Sequence, residues 1–214
     1  MAEDDRTVAD TGVTDRALTA VAARRSQAAV AGHEGDEGAA RSLLRDPDPT
    51  VRSTALGALT RMGAATDDDV RRALTDTDPS VRRRALADAV ARPSVPIVAA
   101  LDDTDPTVVE QAAWACGERE DAGGGALDAL VRVATSHDDA LCREAAVAAL
   151  GAIGDPAGLD AILAATHDRA TVRRRAVIAL APFEGPEVDA ALARATSDRD
   201  WQVRQAAEDL LDES

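Results

Sequence analysis

The stretch DPSVR at residues 78–82 decides the fold, because close copies of it return at regular intervals along the chain. The copies are DPTVR at residues 48–52, DPTVV at 105–109, DALCR at 139–143, ATVR at 170–173 and DWQVR at 200–204. Their Val or Cys positions are 51, 81, 108, 142, 172 and 203, so neighbouring copies lie 27 to 34 residues apart. A recurring period of this size predicts stacked structural repeats and not a domain with a single core.

Each copy of the stretch is typical of the first turn of a helix. Asp is a preferred N-cap residue, and Pro is favoured at the first helical position because no hydrogen bond is lost there. The residues that follow have the helical period, since Val51, Ala55 and Leu59 fall on one stripe. A shorter amphipathic segment precedes each of these helices, so every repeat is predicted to be a helix pair whose second helix begins at the copy.

These features predict an all-α fold, an α-solenoid of about six stacked antiparallel helix pairs. The pairs are expected at about residues 37–62, 67–91, 94–118, 125–152, 156–181 and 186–212, after a leading helix at about residues 15–31, in a single array over residues 15–214. Residues 1–14 are predicted to be an acidic disordered tail. Glu208 and Asp209 stand where the first copy has Leu56 and Gly57, which favours an array that ends within this chain.

A column of charged residues follows the repeat. Five copies have Arg directly after the Val or Cys, and four have Asp four residues before that Arg: Arg52, Arg82, Arg143, Arg173, Arg204, Asp48, Asp78, Asp139 and Asp200. Residues four apart are neighbours on a helix, and stacking also brings each Arg near the turn of the next repeat. We interpret this column as a structural ladder of charge-assisted hydrogen bonds that tie the turns together.

Two groups of residues exceed what a ladder requires and are candidates for partner binding. The triplets at residues 82–84 and 173–175 add Arg83, Arg84, Arg174 and Arg175, which could bind phosphate or an acidic peptide. In the third repeat the column breaks at Val109, Glu110 follows it, and Trp114 replaces a small residue. Trp114 either fills a packing gap or offers an anchor to a partner.

Composition narrows the classes of function. With 39 acidic and 24 basic residues the net charge is −15, which opposes nonspecific binding to nucleic acid or to an anionic membrane. Lys is absent, which fits either a GC-rich genome or a salt-rich cytoplasm. The sequence shows no signal peptide and no membrane span, so we expect a cytoplasmic monomer. Cys116 and Cys142 fall in core registers and are interpreted as small buried hydrophobes.

The pattern DPxVRxxAxxAL and the stretch LGAIGDP at residues 150–156 resemble HEAT repeats, specifically the phycobilisome-lyase-like type. The resemblance covers about residues 37–212. It implies a noncatalytic scaffold that binds a protein or peptide in a groove lined by the second helix of each pair, without a cofactor, catalytic residues or metal ligands.

Related arrays leave other functions open. One alternative is an accessory subunit of a lyase or another modifying enzyme. A second is a metal-dependent oxygenase similar to deoxyhypusine hydroxylase, for which His33 and Glu34 are the one His-Glu pair, outside a predicted helix. DNA alkylation-repair glycosylases are a third, through Trp114, Glu118 and Trp201, although the net charge opposes binding to duplex DNA.

Overall fold

The computed structural model describes residues 4–119 and 124–212, with side chains from residue 16 onward. Within these ranges all regular structure is helical, which confirms the predicted fold class. The α-helices are α1 (Asp4–Glu34), α2 (Glu37–Leu43), α3 (Pro49–Arg61), α4 (Asp67–Leu74), α5 (Pro79–Ala89), α6 (Pro106–Glu118), α7 (Ala126–Ser136), α8 (Ala140–Ile153), α9 (Leu159–Ala165), α10 (Ala170–Ala179), α11 (Pro186–Ala195) and α12 (Trp201–Asp212). Two 3-10 helices lie at Val98–Asp102 and Pro156–Gly158.

The second helix of most repeats starts as the sequence predicts. Asp48, Asp105 and Asp139 are N-caps whose carboxylates accept a hydrogen bond from the backbone N–H two residues later. Pro occupies the first turn of α3 and α6. At its other end α8 stops at Gly154, which has a φ of 67° and donates its N–H to the Leu150 carbonyl. A left-handed residue of this kind ends a helix without steric cost only when it is glycine.

The described residues form two compact units, one ending at Asp88 and the other beginning at Ala89. In the first unit α1 packs against α2 and α3. In the second unit the helices that begin at the repeated stretch form a row, in which α6 packs on α8, α8 on α10 and α10 on α12. The shorter helices form another row, in which α7 contacts α9 and α9 contacts α11. That both units belong to one continuous array stays a prediction.

Alanine and glycine allow the helices to approach closely. A Cβ added at Gly151 on α8 would lie 2.6 Å from the Cβ of Ala179 on α10, so the two helices meet almost backbone to backbone. Between the helices the core is filled by fully buried leucines such as Leu56, Leu150 and Leu180. Each such side chain contributes about 1.5–3 kcal/mol by leaving water. None of the described helices combines the length and apolar character needed to cross a membrane.

The N-terminal region differs from its sequence interpretation. Helix α1 begins at Asp4, within the predicted disordered tail of residues 1–14, and continues to Glu34; residues 1–3 lie outside the described part of the chain. No proline interrupts this region, and acidic residues at a helix N-terminus complement the helix dipole. His33 and Glu34 therefore lie in the last turn of α1 and not outside a helix.

The third pair is the least regular. The sequence suggests an amphipathic helix at about residues 94–102, but the structure has only the 3-10 helix Val98–Asp102. Pro96 explains the difference, because it lacks an N–H and disfavours helical backbone at the residue before it. Val95 and Ile97 are nevertheless fully buried, so this loop contributes to the core as a helix would.

Candidate functional site

The aspartates of the ladder do not pair with the arginine four residues later. Asp48, for example, accepts the backbone N–H of Thr50 at 2.9 Å and its hydroxyl at 2.5 Å, as an N-cap. Arg52 instead reaches across to the next repeat and binds Asp76. The expected i,i+4 pairing is therefore wrong, since the carboxylate that faces the first turn is already used by the N–H groups that the helix leaves without partners.

The true acidic partners lie one or two residues before the helix caps. Bidentate pairs join successive repeats: Arg24 to Asp46 (2.7 Å), Arg52 to Asp76 (2.6 Å), Arg143 to Asp168 (2.6 Å) and Arg173 to Asp198 (2.7 Å). Arg24 on α1 belongs to the same ladder, although no copy of the repeated stretch surrounds it. The sequence signal that could have revealed these partners is an Asp that recurs near each cap, at residues 46, 76, 103, 168 and 198.

The ladder arginines of the repeated stretch also hold their own loops. Arg143 donates Nη1 to the carbonyls of His137 and Asp138, at 2.7 and 3.0 Å, while Nε and Nη2 bind Asp168. Arg82 and Arg204 bind the carbonyls of their own loops in the same way. The hydrogen bond from Arg143 lowers the pKa of Asp168 below its ordinary value. These guanidinium groups are engaged by the fold, so they are poor candidates for binding a partner.

The extra arginines of the triplets divide into two kinds. Arg84 binds Asp88 at 3.0 Å and lies over Gly57, where an added Cβ would meet the guanidinium carbon at 2.9 Å. Arg175 lies 3.6 Å from Glu144. Arg83 is exposed and Arg174 half-buried, and neither has an ion pair within the described residues. Within its own unit each triplet therefore has one extra arginine with an acidic neighbour, Arg84 or Arg175, and one without an ion pair among the described residues, Arg83 or Arg174.

A concave surface lies between α6 and α8, in the repeat where the sequence pattern breaks. It is a groove of about 720 Å³. Trp114 and Leu141 are 44% and 56% exposed along it, and its floor is made of small residues, Ala145, Ala148 and Ala149 among them. The short alanine side chains around Trp114 leave much of it exposed to water.

The groove is acidic. Glu110, Glu118 and Glu144 line it, against the single guanidinium of Arg175. Glu110 and Glu118 are exposed and have no ion pair within the described residues. Arg175 forms an ion pair with Glu144 at 3.6 Å, and its buried Nε has no acceptor among the described groups. The three carboxylates of the groove therefore outnumber its one guanidinium. The sequence candidates Glu110, Trp114 and Arg175 thus lie on one surface, together with Glu144 and Leu141, which sequence reasoning missed.

A second exposed tryptophan lies beside a smaller groove between α10 and α12. Trp201 is 64% exposed and Ile178 is 44% exposed, and the groove has a volume of about 400 Å³. Its charged residues are Arg174 and Asp209, one of each sign. The Asp209 carboxylate accepts a hydrogen bond from the Gln205 side chain at 2.8 Å. This groove therefore has an exposed aromatic residue without the excess of carboxylates.

The other side chains that could carry chemistry, His137 and the two cysteines, are hydrogen-bonded or buried within the fold. His137 accepts the Asp139 backbone N–H at its Nδ1, and within the described chain no three metal-ligating side chains come together. Cys116 and Cys142 are fully buried and unpaired, and burial raises the pKa of each thiol to about 11. The Cys142 thiol donates to the Pro106 carbonyl at 3.2 Å.

Arg119 is a structural residue that the sequence did not single out. It ends α6, and its guanidinium donates to the carbonyls of Val95 and Arg92, at 2.8 and 2.9 Å, and to that of Ala89. Burial lowers its pKa. Arg119 thereby satisfies carbonyls in the proline-containing loop that replaces a regular helix in the third pair.

Comparison with known proteins identifies the repeat. The sequence model for HEAT repeats matches residues 94–181 and 127–212, whereas no curated protein matches the chain. Among solved structures, an engineered protein is 22% identical, with a TM-score of 0.60 over 83% of this chain and 97% of its own. A designed armadillo repeat protein in complex with the peptide (KR)4 is 19% identical, with a TM-score of 0.59 over 80% and 96% of the two chains. Designed armadillo repeat proteins for modular peptide recognition are 18% identical, with a TM-score of 0.56 over 88% and 97%.

Proposed function

We propose, from the premise that the chain belongs to the HEAT repeat family, that it is a noncatalytic scaffold for protein binding. The binding surface is the groove between α6 and α8, and Trp114 is its anchor. The partner is a protein segment that lies along the second helices of neighbouring repeats. The phycobilisome-lyase-like subtype and a role beside a modifying enzyme stay predictions from the sequence resemblance.

The observation that carries this proposal is the exposure of Trp114 in a concave surface. At the equivalent helix position the repeats before and after it have Ala87 and Ala148. Nothing in the repeat requires a large ring there, and 44% of this one stays exposed to water. Tryptophan is enriched at the centres of protein interfaces because it buries a large area with few rotatable bonds.

The way the helices of the second unit are held together also supports the proposal. Arg143 and Arg173 bind loop carbonyls and the acid of the next repeat, so they fix how neighbouring helix pairs stack. These rungs join α8 to α10 and α10 to α12, whereas the groove between α6 and α8 depends on the close packing of those two helices, where a Cβ added at Gly117 would lie 3.0 Å from the Cα of Ala149. A groove between closely packed helices is formed before a partner arrives, which reduces the ordering cost of binding. Among proteins of similar fold, one designed armadillo repeat protein is described in complex with a peptide.

The test is affinity capture from native lysate with quantitative mass spectrometry on three baits: the unaltered chain, Trp114→Ala and Trp201→Ala. We expect a defined set of proteins to be lost from the Trp114→Ala bait and retained by the Trp201→Ala bait. The second variant is a matched control, because it also removes an exposed tryptophan from the same unit. Equal capture by the two variants would remove the groove from the proposal.

A further inference from the structure

We infer that the groove between α6 and α8 selects a basic segment, with a Lys or Arg side chain of the partner lying on the Trp114 ring between two carboxylates. The inference rests on the proposed function, because it names the chemistry of the partner that the groove would bind. It differs from the sequence hypothesis for the arginine triplets, which calls for an acidic partner.

The first step is the geometry of α6. Glu110, Trp114 and Glu118 are spaced four residues apart, so they lie one above another on a single face of the helix. All three are exposed, and the two glutamates have no ion pair within the described residues. The face therefore offers an aromatic ring with a free carboxylate on each side of it along the helix.

The second step is the opposite wall. Glu144 on α8 adds a third carboxylate, and its own side chain is only 18% exposed. Its ion-pair partner, Arg175, lies 3.6 Å away. With three carboxylates and one guanidinium, the groove keeps an excess of negative charge, and a further cation is favoured because charges interact more strongly where water is partly excluded.

The third step is the match between this surface and a basic side chain. A Lys or Arg cation over the face of a tryptophan is attracted by the ring, and the aliphatic stem of the same side chain can lie on apolar surface. The floor of Ala145 and Ala148 supplies that apolar surface, with Leu141 beside it. Each part of a basic side chain thus has a counterpart in the groove.

Partners of other chemistry would bind this groove less favourably. An acidic peptide or a nucleic acid would bring negative charge towards three carboxylates in a chain whose net charge is already −15. A purely apolar helix would cover Glu110 and Glu118 without pairing them, and burying an unpaired charge is costly. A basic segment neutralises these groups as it covers them.

The experiment uses a short fluorescent peptide of alternating Arg and Ser, and its analogue with Gln in place of Arg, and measures their binding by anisotropy. We expect the Arg peptide to bind the full chain, more weakly as salt is added, and the Gln peptide not to bind. The Glu110→Gln/Glu118→Gln pair should weaken binding by roughly 10-fold or more, and Trp114→Ala by roughly 3- to 30-fold. Circular dichroism checks that each variant stays folded.

A matched pair separates this site from general attraction by an acidic protein. Glu184→Gln/Glu187→Gln removes the same charge from exposed positions elsewhere in the same unit and should leave the affinity nearly unchanged. Equal weakening by the two pairs, or none by the groove pair, would overturn the inference. Lysate capture distinguishes the two claims. If the proposed function holds but the inference fails, capture is lost with Trp114→Ala and unchanged with the Glu110→Gln/Glu118→Gln bait. If the proposed function itself fails, Trp114→Ala captures the same proteins as the unaltered chain.

Discussion

At the scale of single residues, the aspartates near the helix starts have two different structural roles. Asp48 and Asp139 cap helices, whereas Asp76 and Asp168 receive the ladder arginines of the preceding repeat. The two kinds stand so close in sequence that their spacing alone does not separate them. What separates them is that an N-cap carboxylate is turned towards the helix N–H groups, while the other carboxylate faces the neighbouring repeat.

Removal of one ladder arginine should be costly. Arg143→Ala leaves Asp168 and the His137 carbonyl without their charged donor, and both members of the ion pair are at most 20% exposed. We expect the free energy of unfolding to fall by about 2–3 kcal/mol, measured by urea denaturation. The control Arg199→Ala removes an exposed arginine elsewhere in the same unit and should change the free energy of unfolding by less than about 0.5 kcal/mol. Equal effects of the two substitutions would contradict a structural role for the ladder.

The ladder also predicts how stability depends on pH. Hydrogen bonds from Arg143 and Arg173 lower the pKa of Asp168 and Asp198, so these groups stabilise the fold above about pH 4, the ordinary range of Asp in the unfolded chain. This contribution is lost as the pH falls through the lower pKa values of the folded state. Measured by urea denaturation, the free energy of unfolding of the unaltered chain should therefore fall steeply as the pH is lowered below 4. It should fall less steeply in Arg173→Ala. Parallel curves for the two proteins would argue against the linkage.

At the scale of elements, the ladder has no rung between α6 and α8, because the sequence lacks both the arginine and the acid there. The register places Val109 on α6 where other repeats have the arginine, and His137 before α8 where they have its acid. His137 still makes one of the hydrogen bonds that the acid makes in other repeats. Its Nδ1 accepts the backbone N–H of Asp139, just as the Asp46 carboxylate accepts that of Asp48. The pair of helices without a rung, α6 and α8, is also the pair that forms the acidic groove.

If register alone determines the ladder, the missing rung can be restored. Val109→Arg should destabilise the chain, because Val109 is fully buried and the new charge has no partner. Adding His137→Asp should recover part of that loss, with a favourable coupling of about 0.5–3 kcal/mol in a double-mutant cycle from urea denaturation. Ser136→Asp, which adds the same charge one residue out of register, should give much weaker coupling. Equal coupling of both acids to the introduced arginine would show that the register does not select the partner.

At the scale of the whole molecule, the helical repeat fold could be predicted from the sequence because the same helix-start and apolar patterns recur in each repeat. The Asp-Pro pairs and the helical spacing of Val and Leu predict where the second helices lie, because N-capping and apolar periodicity are local properties of the sequence. The sequence was insufficient at residues 94–102, where Pro96 overrides the amphipathic pattern. It was also insufficient for the groove, because Leu141 and Glu144 meet Trp114 only through the packing of α8 on α6.

Repeats that contact mainly their neighbours should respond locally to damage in the core. Leu150 is fully buried, so Leu150→Ala should cost about 2–5 kcal/mol, with the loss concentrated in α6 to α10. Amide hydrogen exchange should show reduced protection in those helices and unchanged protection in α2 and α3. Leu56→Ala, at an equally buried leucine of the first unit, should give the reverse pattern. If either variant lowered protection evenly along the chain, the molecule would unfold as one cooperative body, and stability would not be distributed repeat by repeat.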